Sequence, residues 1–194
     1  SMSDEAIRRY IATREPMDKA GAYAVQGIAG LWIDELKGSH TNVIGLPMAL
    51  GMYELAPLWH ALFTELGFFV TLSGPSSRGL YTKGQFSIPS DTACYPAKIM
   101  HGHVEELLAA GVDAIFYPCL TYNINEHTGD NHYNCPIVTS YSENIKNNVE
   151  DLKERDIRFM NPFLSFDNLQ TVTKRLTEEF VPEGCTAAEI KEAA

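Results

Sequence analysis

The run Cys94-Tyr-Pro-Ala-Lys98-Ile-Met-His-Gly-His-Val-Glu-Glu-Leu-Leu-Ala-Ala-Gly111-Val-Asp-Ala114-Ile-Phe-Tyr-Pro118-Cys119 decides how the chain is read. Pro96 suits the first turn of a helix, where a missing N–H costs no hydrogen bond. Ile99, Met100, Val104, Leu107 and Leu108 then recur as one inward apolar stripe. Gly111 supplies the stop. Ala114 to Pro118 is short, apolar and aromatic, as a buried strand is. Helix, glycine and strand in that order form the repeating unit of an open α/β sheet.

Working outward, Asn42 to Pro47 reads as a short buried strand. Pro57 fits the start of a helix running to Leu66, with Leu55, Trp59, Leu62, Phe63 and Leu66 at helical spacing and Gly67 ending it. Phe68 to Leu72 is a second strand, Ser76 to Lys83 a short helix and Phe86 to Pro89 extended. Beyond Cys119, Ile137 to Tyr141 reads as a fourth strand, Ser142 to about Arg155 as a helix and Ile157 to Met160 as a fifth strand. Asp167 with Gln170 forms a capping box for a helix whose inner face is Leu169, Val172, Leu176 and Phe180. Thr186 with Glu189 forms another.

The expected fold is therefore a three-layer α/β domain over residues 41–194. It has a mostly parallel sheet of four to five strands with helices on both faces, Rossmann-like or flavodoxin-like. Residues 1–40 read as a helical N-terminal arm or linker. Such folds bind ligands beyond the carboxyl ends of their strands. No Gly-rich dinucleotide fingerprint and no Walker loop occurs, so the fold's ordinary nucleotide ligands are not indicated.

Composition narrows the function. The chain has 194 residues, 45% of them hydrophobic, and a net charge of −10. An acidic surface repels phosphate backbones, which argues against nucleic acid and against a polybasic membrane contact. No apolar run approaches the roughly 18 to 20 residues that span a bilayer. The N-terminus lacks the basic-then-apolar layout of a signal peptide, so the expected location is the cytoplasm. The four cysteines are then reduced thiols rather than a disulfide framework. Residues 38–140 hold all six histidines and three of these cysteines, yet only three cations, Arg78, Lys83 and Lys98.

Cys94 should lie at a helix N-terminus, where the dipole and free amides favour a thiolate. Cys119 follows a strand at its carboxyl end, so a parallel sheet brings both to the ligand face. Cys135 precedes the expected fourth strand and would sit near the opposite end unless loop 120–134 folds back. That loop is either a lid or a surface excursion. Cys185 reads as incidental. Against these readings stands the plain one, that free cysteines are small buried hydrophobes. Lys98 and His101 lie three apart, away from the apolar stripe, and could face a ligand together. Arg78, Lys98, His101, His103, Tyr95 and His132 are the candidate supporting or ligand-binding groups, and Tyr117, Tyr122 and Tyr133 could shield a redox site from water. No catalytic triad or paired-carboxylate pattern stands out.

Several blocks in order carry a resemblance. They are Ile44-Gly-Leu-Pro-Met-Ala-Leu50-Gly-Met-Tyr-Glu54, Phe63-Thr-Glu-Leu-Gly-Phe68, Ser76-Ser-Arg78, Ile88-Pro-Ser-Asp-Thr-Ala-Cys94-Tyr-Pro-Ala-Lys98 and His101-Gly-His103. Phe116-Tyr-Pro-Cys119, Asp130-Asn-His-Tyr-Asn-Cys135-Pro-Ile-Val-Thr-Ser-Tyr141 and Asn161-Pro-Phe-Leu164 complete them. Over about residues 42–180 the chain resembles the uncharacterised domain of CoA-substrate-specific enzyme activases. Those are related to 2-hydroxyacyl-CoA dehydratase and benzoyl-CoA reductase components and their activators. The resemblance implies anaerobic electron transfer and a [4Fe–4S] cluster on three cysteines. Cys94 and Cys119 match two ligands, and the third is either Cys135 or a residue of a domain outside this chain. It also implies partners, the other domains or subunits of an activase/dehydratase system, and acyl-CoA as a candidate ligand. The ATP-hydrolysing half is missing, so no ATP hydrolysis is expected.

Two main functions follow as expectations. One is an iron–sulfur module relaying low-potential electrons for 2-hydroxyacyl-CoA-type chemistry, not active alone. The other is a non-catalytic scaffold or interaction domain with structural cysteines and no cluster. A metal-free CoA or nucleotide pocket and a zinc site are lesser readings.

Overall fold

Strand β1 (Val43–Leu46) is central in the sheet, although it comes first in the chain. The computed structural model describes residues 43–194, and the expected arm of residues 1–40 lies outside them. On one side β1 pairs in parallel with β2 (Phe69–Leu72), Val43 opposite Phe69 through Leu46 opposite Leu72. On the other side it pairs with β3 (Ala114–Phe116), which pairs with β5 (Arg158–Met160). The order β2-β1-β3-β5, wholly parallel, reverses direction beside β1. Right-handed crossovers on either side of that reversal put helices on both faces. The α/β fold expected from the sequence is the one observed.

The expected strand after Gly111 is really the start of a longer, kinked ribbon. Tyr117 N–H donates to Met160 O (2.9 Å), Cys119 N–H to Pro162 O (2.9 Å) and Thr121 N–H to Leu164 O (3.0 Å). The β3–β5 ladder thus continues into the two-stranded sheet of β4 (Cys119–Leu120) and β6 (Phe163–Leu164). Pro118 and Pro162, which have no N–H, stand at the break.

On one face lies α1 (Gly51–Glu65), with α6 (Leu169–Phe180) and α7 (Ala187–Ala193). Phe63 meets Phe116 at 4.9 Å and Phe180 at 5.2 Å between ring centroids, and Trp59 meets Phe116 at 5.0 Å. These rings weld α1 and α6 to β3, and edge-to-face pairing adds to their burial. The other helical group holds α2 (Arg78–Gly84), a 3-10 turn at Gln85–Ser87, α3 (Tyr95–Ala110), α4 (Pro136–Asn148) and the short α5 (Asp151–Glu154). All five apolar residues expected on α3's inner face are buried, and Gly111 ends the helix in the left-handed conformation, φ 74°. At Gly84 and Gly102 the backbones of α2 and α3 touch: a Cβ on Gly102 would overlap the Leu80 carbonyl oxygen.

Several expectations are corrected. Helix α1 begins at Gly51, so Pro57 sits inside it, because Met52, Leu55 and Ala56 already bury along its inner face. Ile137 to Tyr141 is not a strand but the first part of α4. Short apolar runs are ambiguous between the two states. Here Pro136 at the first turn and buried Tyr141 and Ile145, four apart, set a helical period. The cap of α6 is Asn168, whose side chain accepts from Thr171 N–H, and not Asp167. Leu169 is 64% exposed instead of facing inward, while Val172, Leu176 and Phe180 are buried. The Thr186–Glu189 capping box is present. Among the described residues, no helix is long and apolar enough to cross a membrane.

Candidate functional site

Two helices present a cysteine in the same way. Cys94 caps α3 with φ −63° and ψ 156°, and Cys135 caps α4 with φ −64° and ψ 156°. Neither thiol is used in a cap hydrogen bond, a proline follows within the first two helical positions, and both cysteines are exposed. Because residues 136–148 are a helix, Cys135 does not fall at the far end of the sheet as the strand reading required. In a parallel α/β layout a helix following a strand starts at that strand's carboxyl end. Cys135 therefore shares the ligand edge with Cys94 and Cys119.

Cys119 differs from both. It is fully buried in β4, and its Sγ lies 2.8 Å from Ser142 Oγ on α4. Burial raises its thiol pKa, while the Ser142 contact and the Lys146 charge act downward.

Tyr117 links the three. Its ring is buried, and its hydroxyl has no hydrogen-bond partner in the protein. Burial pushes the phenol far up, and charges on Cys119, Tyr141, Cys135 and Cys94 push it further. All three cysteines are thus within electrostatic reach of one orphaned hydroxyl at the end of β3. Leaving such a group unpaired costs roughly 1–3 kcal/mol, and an acceptor placed among the thiols would satisfy it. Sulfur or oxygen of a bound anionic group fits this donor set. Among the described residues, no three His, Cys, Asp or Glu side chains group closely enough to hold a single metal ion.

His101 and His103 are held inside the fold. His101 is buried, with Nδ1 2.8 Å from Ser87 Oγ and Nε2 3.1 Å from Tyr141 Oη. Burial lowers its pKa to about 4. His103, also buried, bridges Ser73 Oγ (2.8 Å) and Ser76 Oγ (2.9 Å) at the end of β2. Burial lowers its pKa too, and Glu106 acts upward. Lys98 does not join His101: its Nζ donates to Asp91 O at 3.3 Å, strapping the segment before Cys94. Arg78 is exposed at the start of α2, and Tyr95 is exposed and stacked on Tyr81 at 5.5 Å. His132 lies in the loop and pairs with Asp167 at 3.2 Å.

That loop closes on itself through the Tyr122–Tyr133 bridge and leans on α1 through Asn123 Nδ2 to Glu54 Oε2, 3.0 Å. The sequence reading overlooked Tyr141, Ser142 and Asn161 as site framework. Asn161, at the end of β5, donates to Glu143 (2.6 Å) and accepts from Lys146 (3.0 Å), fixing the helix that carries Ser142. The Asn161-Pro162 step at a strand end was the available signal.

Known proteins match the chain in two parts. A family described as Maf-like protein matches residues 1–57. The dTTP/UTP pyrophosphatase of Clostridium botulinum (strain Eklund 17B / Type B) is 55% identical over 47 residues, 24% of this chain and 25% of that protein. That of Pelotomaculum thermopropionicum is 61% identical over 49 residues, 25% of this chain and 26% of that protein. The one from Chromobacterium violaceum is 56% identical over 68 residues, 35% of this chain and 30% of that protein. The chain thus spans about a quarter to a third of the curated relatives it matches. No solved structure matches. The description "CoA enzyme activase uncharacterised domain" belongs to a family matching residues 43–194, which hold the sheet, all three edge cysteines and Tyr117. On that match the chain belongs to the CoA enzyme activase uncharacterised-domain family.

Proposed function

We propose that residues 43–194 form the iron–sulfur module of a CoA enzyme activase system, with Cys94, Cys119 and Cys135 holding a [4Fe–4S] cluster. The observation that carries this reading is the convergence of the three cysteines on Tyr117, whose buried hydroxyl has no partner. When bound, such a cluster supplies a low-potential one-electron store, here for 2-hydroxyacyl-CoA-type chemistry in partner domains or subunits.

The chain's own residues give that site its properties. Cys94 and Cys135 each stand at the start of a helix, α3 and α4, with their thiols exposed and unused in capping. Ser142 holds Cys119, and the buried Tyr117 hydroxyl is left without a partner. Lys98 steadies the Asp91–Cys94 segment. His101, bonded to Tyr141, and His103 act from behind through α3 rather than by contact. Arg78 is available to a partner or to phosphate.

The Cys119–Ser142 hydrogen bond favours a second reading, in which this thiol is structural and the domain is a scaffold for a larger activase. Anaerobic reconstitution of the full chain, followed by iron and sulfide analysis and EPR, separates the two. About four irons per chain, lost in Cys94→Ala/Cys119→Ala, supports the cluster. No iron in wild type, or iron retained in the double variant, leaves the scaffold.

A further inference from the structure

Strand β2 is the last strand on its side of the sheet, and only its inner edge is paired, with β1. Ser73 N–H donates to Leu46 O at 3.1 Å, which fixes the phase of that ladder. In a parallel pair alternate residues turn to the neighbour, so Phe69, Thr71 and Ser73 bond to β1. Phe68, Val70, Leu72 and Gly74 then turn their backbone groups outward. Phe68 N–H is spent on Phe63 O (2.9 Å) and Gly74 N–H on Glu106 Oε2 (2.7 Å). Val70 and Leu72 are left with outward N–H and C=O groups that bond to nothing among the described residues.

Nothing on this strand guards it. Free edges are ordinarily blunted by charge, proline or a bulge. At the opposite edge of the sheet, β5 carries Arg158, which pairs with Glu179 (3.9 Å) and Glu183. Along β2 stand Phe69, 51% exposed, Val70, Thr71 and Leu72, 43% exposed. No residue from Leu66 through Ser77 is charged, in a chain whose net charge is −10. Two copies of such a chain repel each other over most of their surfaces, but not here. An acidic or basic partner would find no opposite charge to meet along β2.

The free groups are also complementary to themselves. In antiparallel pairing, directly opposite residues exchange both backbone bonds at every second pair. With Val70 and Leu72 alone available, two copies of β2 use every free donor and acceptor in one register. Val70 of each copy lies opposite Leu72 of the other, and the two-fold axis passes at Thr71. The same register makes Val70 and Leu72 an apolar pair on one face. We propose that β2 is a homodimer interface, joining two copies by antiparallel edge pairing into one continuous sheet. The pairing involves no iron, so it stands or falls separately from the thiol site.

Sedimentation velocity of the full chain between about 1 and 300 µM tests it, a range suited to an interface at the small end of the scale. Monomer should give way to dimer across that range. Val70→Pro removes a free N–H without touching a bond to β1, and Phe69→Lys sets a charge on the exposed edge. Each should weaken the dimer at least about tenfold while leaving the circular dichroism spectrum unchanged. Phe69→Lys also serves if Val70→Pro does not fold. In Thr71→Cys, oxidised with glutathione disulfide, peptide mass spectrometry should find a disulfide joining position 71 of one copy to position 71 of the other. A monomer throughout the range, a dimer unweakened in Phe69→Lys, or a dimer without the link at position 71 overturns the proposal.

Discussion

Tyr141 on α4 gives its phenolic hydrogen to Nε2 of His101 on α3, and Ser87 fixes the direction of that bond. Ser87 Oγ donates to Gly84 O at 3.1 Å, so toward His101 it must accept, and Nδ1 carries the proton. Nε2 is then the acceptor, and the tyrosine is the donor. The two helices that each bear an exposed cysteine at their start are therefore joined by an oriented, buried bond.

Removing that donor should be costly. Tyr141→Phe leaves a buried imidazole lone pair unsatisfied and should destabilise the fold by about 1–3 kcal/mol. Urea denaturation with an unchanged slope checks it.

Acid should weaken the fold through the same histidine. The folded pKa of His101 is about 4, below its ordinary 6.5. As pH falls from 6.5 toward 4, the unfolded chain takes up a proton that the native chain refuses, so stability is lost. The loss levels off below 4 and amounts to roughly 3 kcal/mol at most. His103 acts in the same direction. His101→Asn should flatten the dependence of stability on pH between 6.5 and 4 in chemical denaturation.

Gly102→Ala should be among the most disruptive single changes. The added methyl would strike the Leu80 carbonyl, and backbone cannot step aside as a flexible side chain can. A loss above about 3 kcal/mol is expected, with Ser87 displaced from His101. Thermal melting of the variant measures it, and a change below about 1 kcal/mol would contradict the close contact.

The four thiols should divide in two. Cys94 and Cys135 are exposed, and Cys119 and Cys185 are buried with raised thiol pKa values. Iodoacetamide should label the first pair in the native chain within minutes and the second only on unfolding, as peptide mass spectrometry would show. A reconstituted cluster should protect the first pair as well.

At the start of α6, Asn168→Ala should cost about 1 kcal/mol. Asp167→Ala should change little, because its exposed pair with His132 is of the kind worth at most about 1 kcal/mol. Equal effects would restore the cap to Asp167.

Much of the fold was legible because α3 and β3 carry unambiguous periodicity and a glycine stop between them. The family was legible because its blocks keep their order. The segment after Cys135 was misread because five apolar and small residues suit either state, and only packing of Tyr141 and Ile145 decides. That error moved Cys135 to the wrong end of the sheet. The partner choices of His101 and His103 were not legible, since Ser87, Ser73, Ser76 and Tyr141 reach them only through tertiary approach. The likeness of residues 1–57 to Maf-like proteins went unread.

The position of β1 bears on how this chain can be divided. Residues 43–57 are claimed by both family matches, and they contain the strand that pairs with β2 on one side and β3 on the other. A shortened chain beginning at or before residue 43 keeps every parallel pairing described. One beginning after Leu46 leaves β2 and β3 facing each other across a missing strand, so the seam between the two likenesses is also the keystone of the sheet.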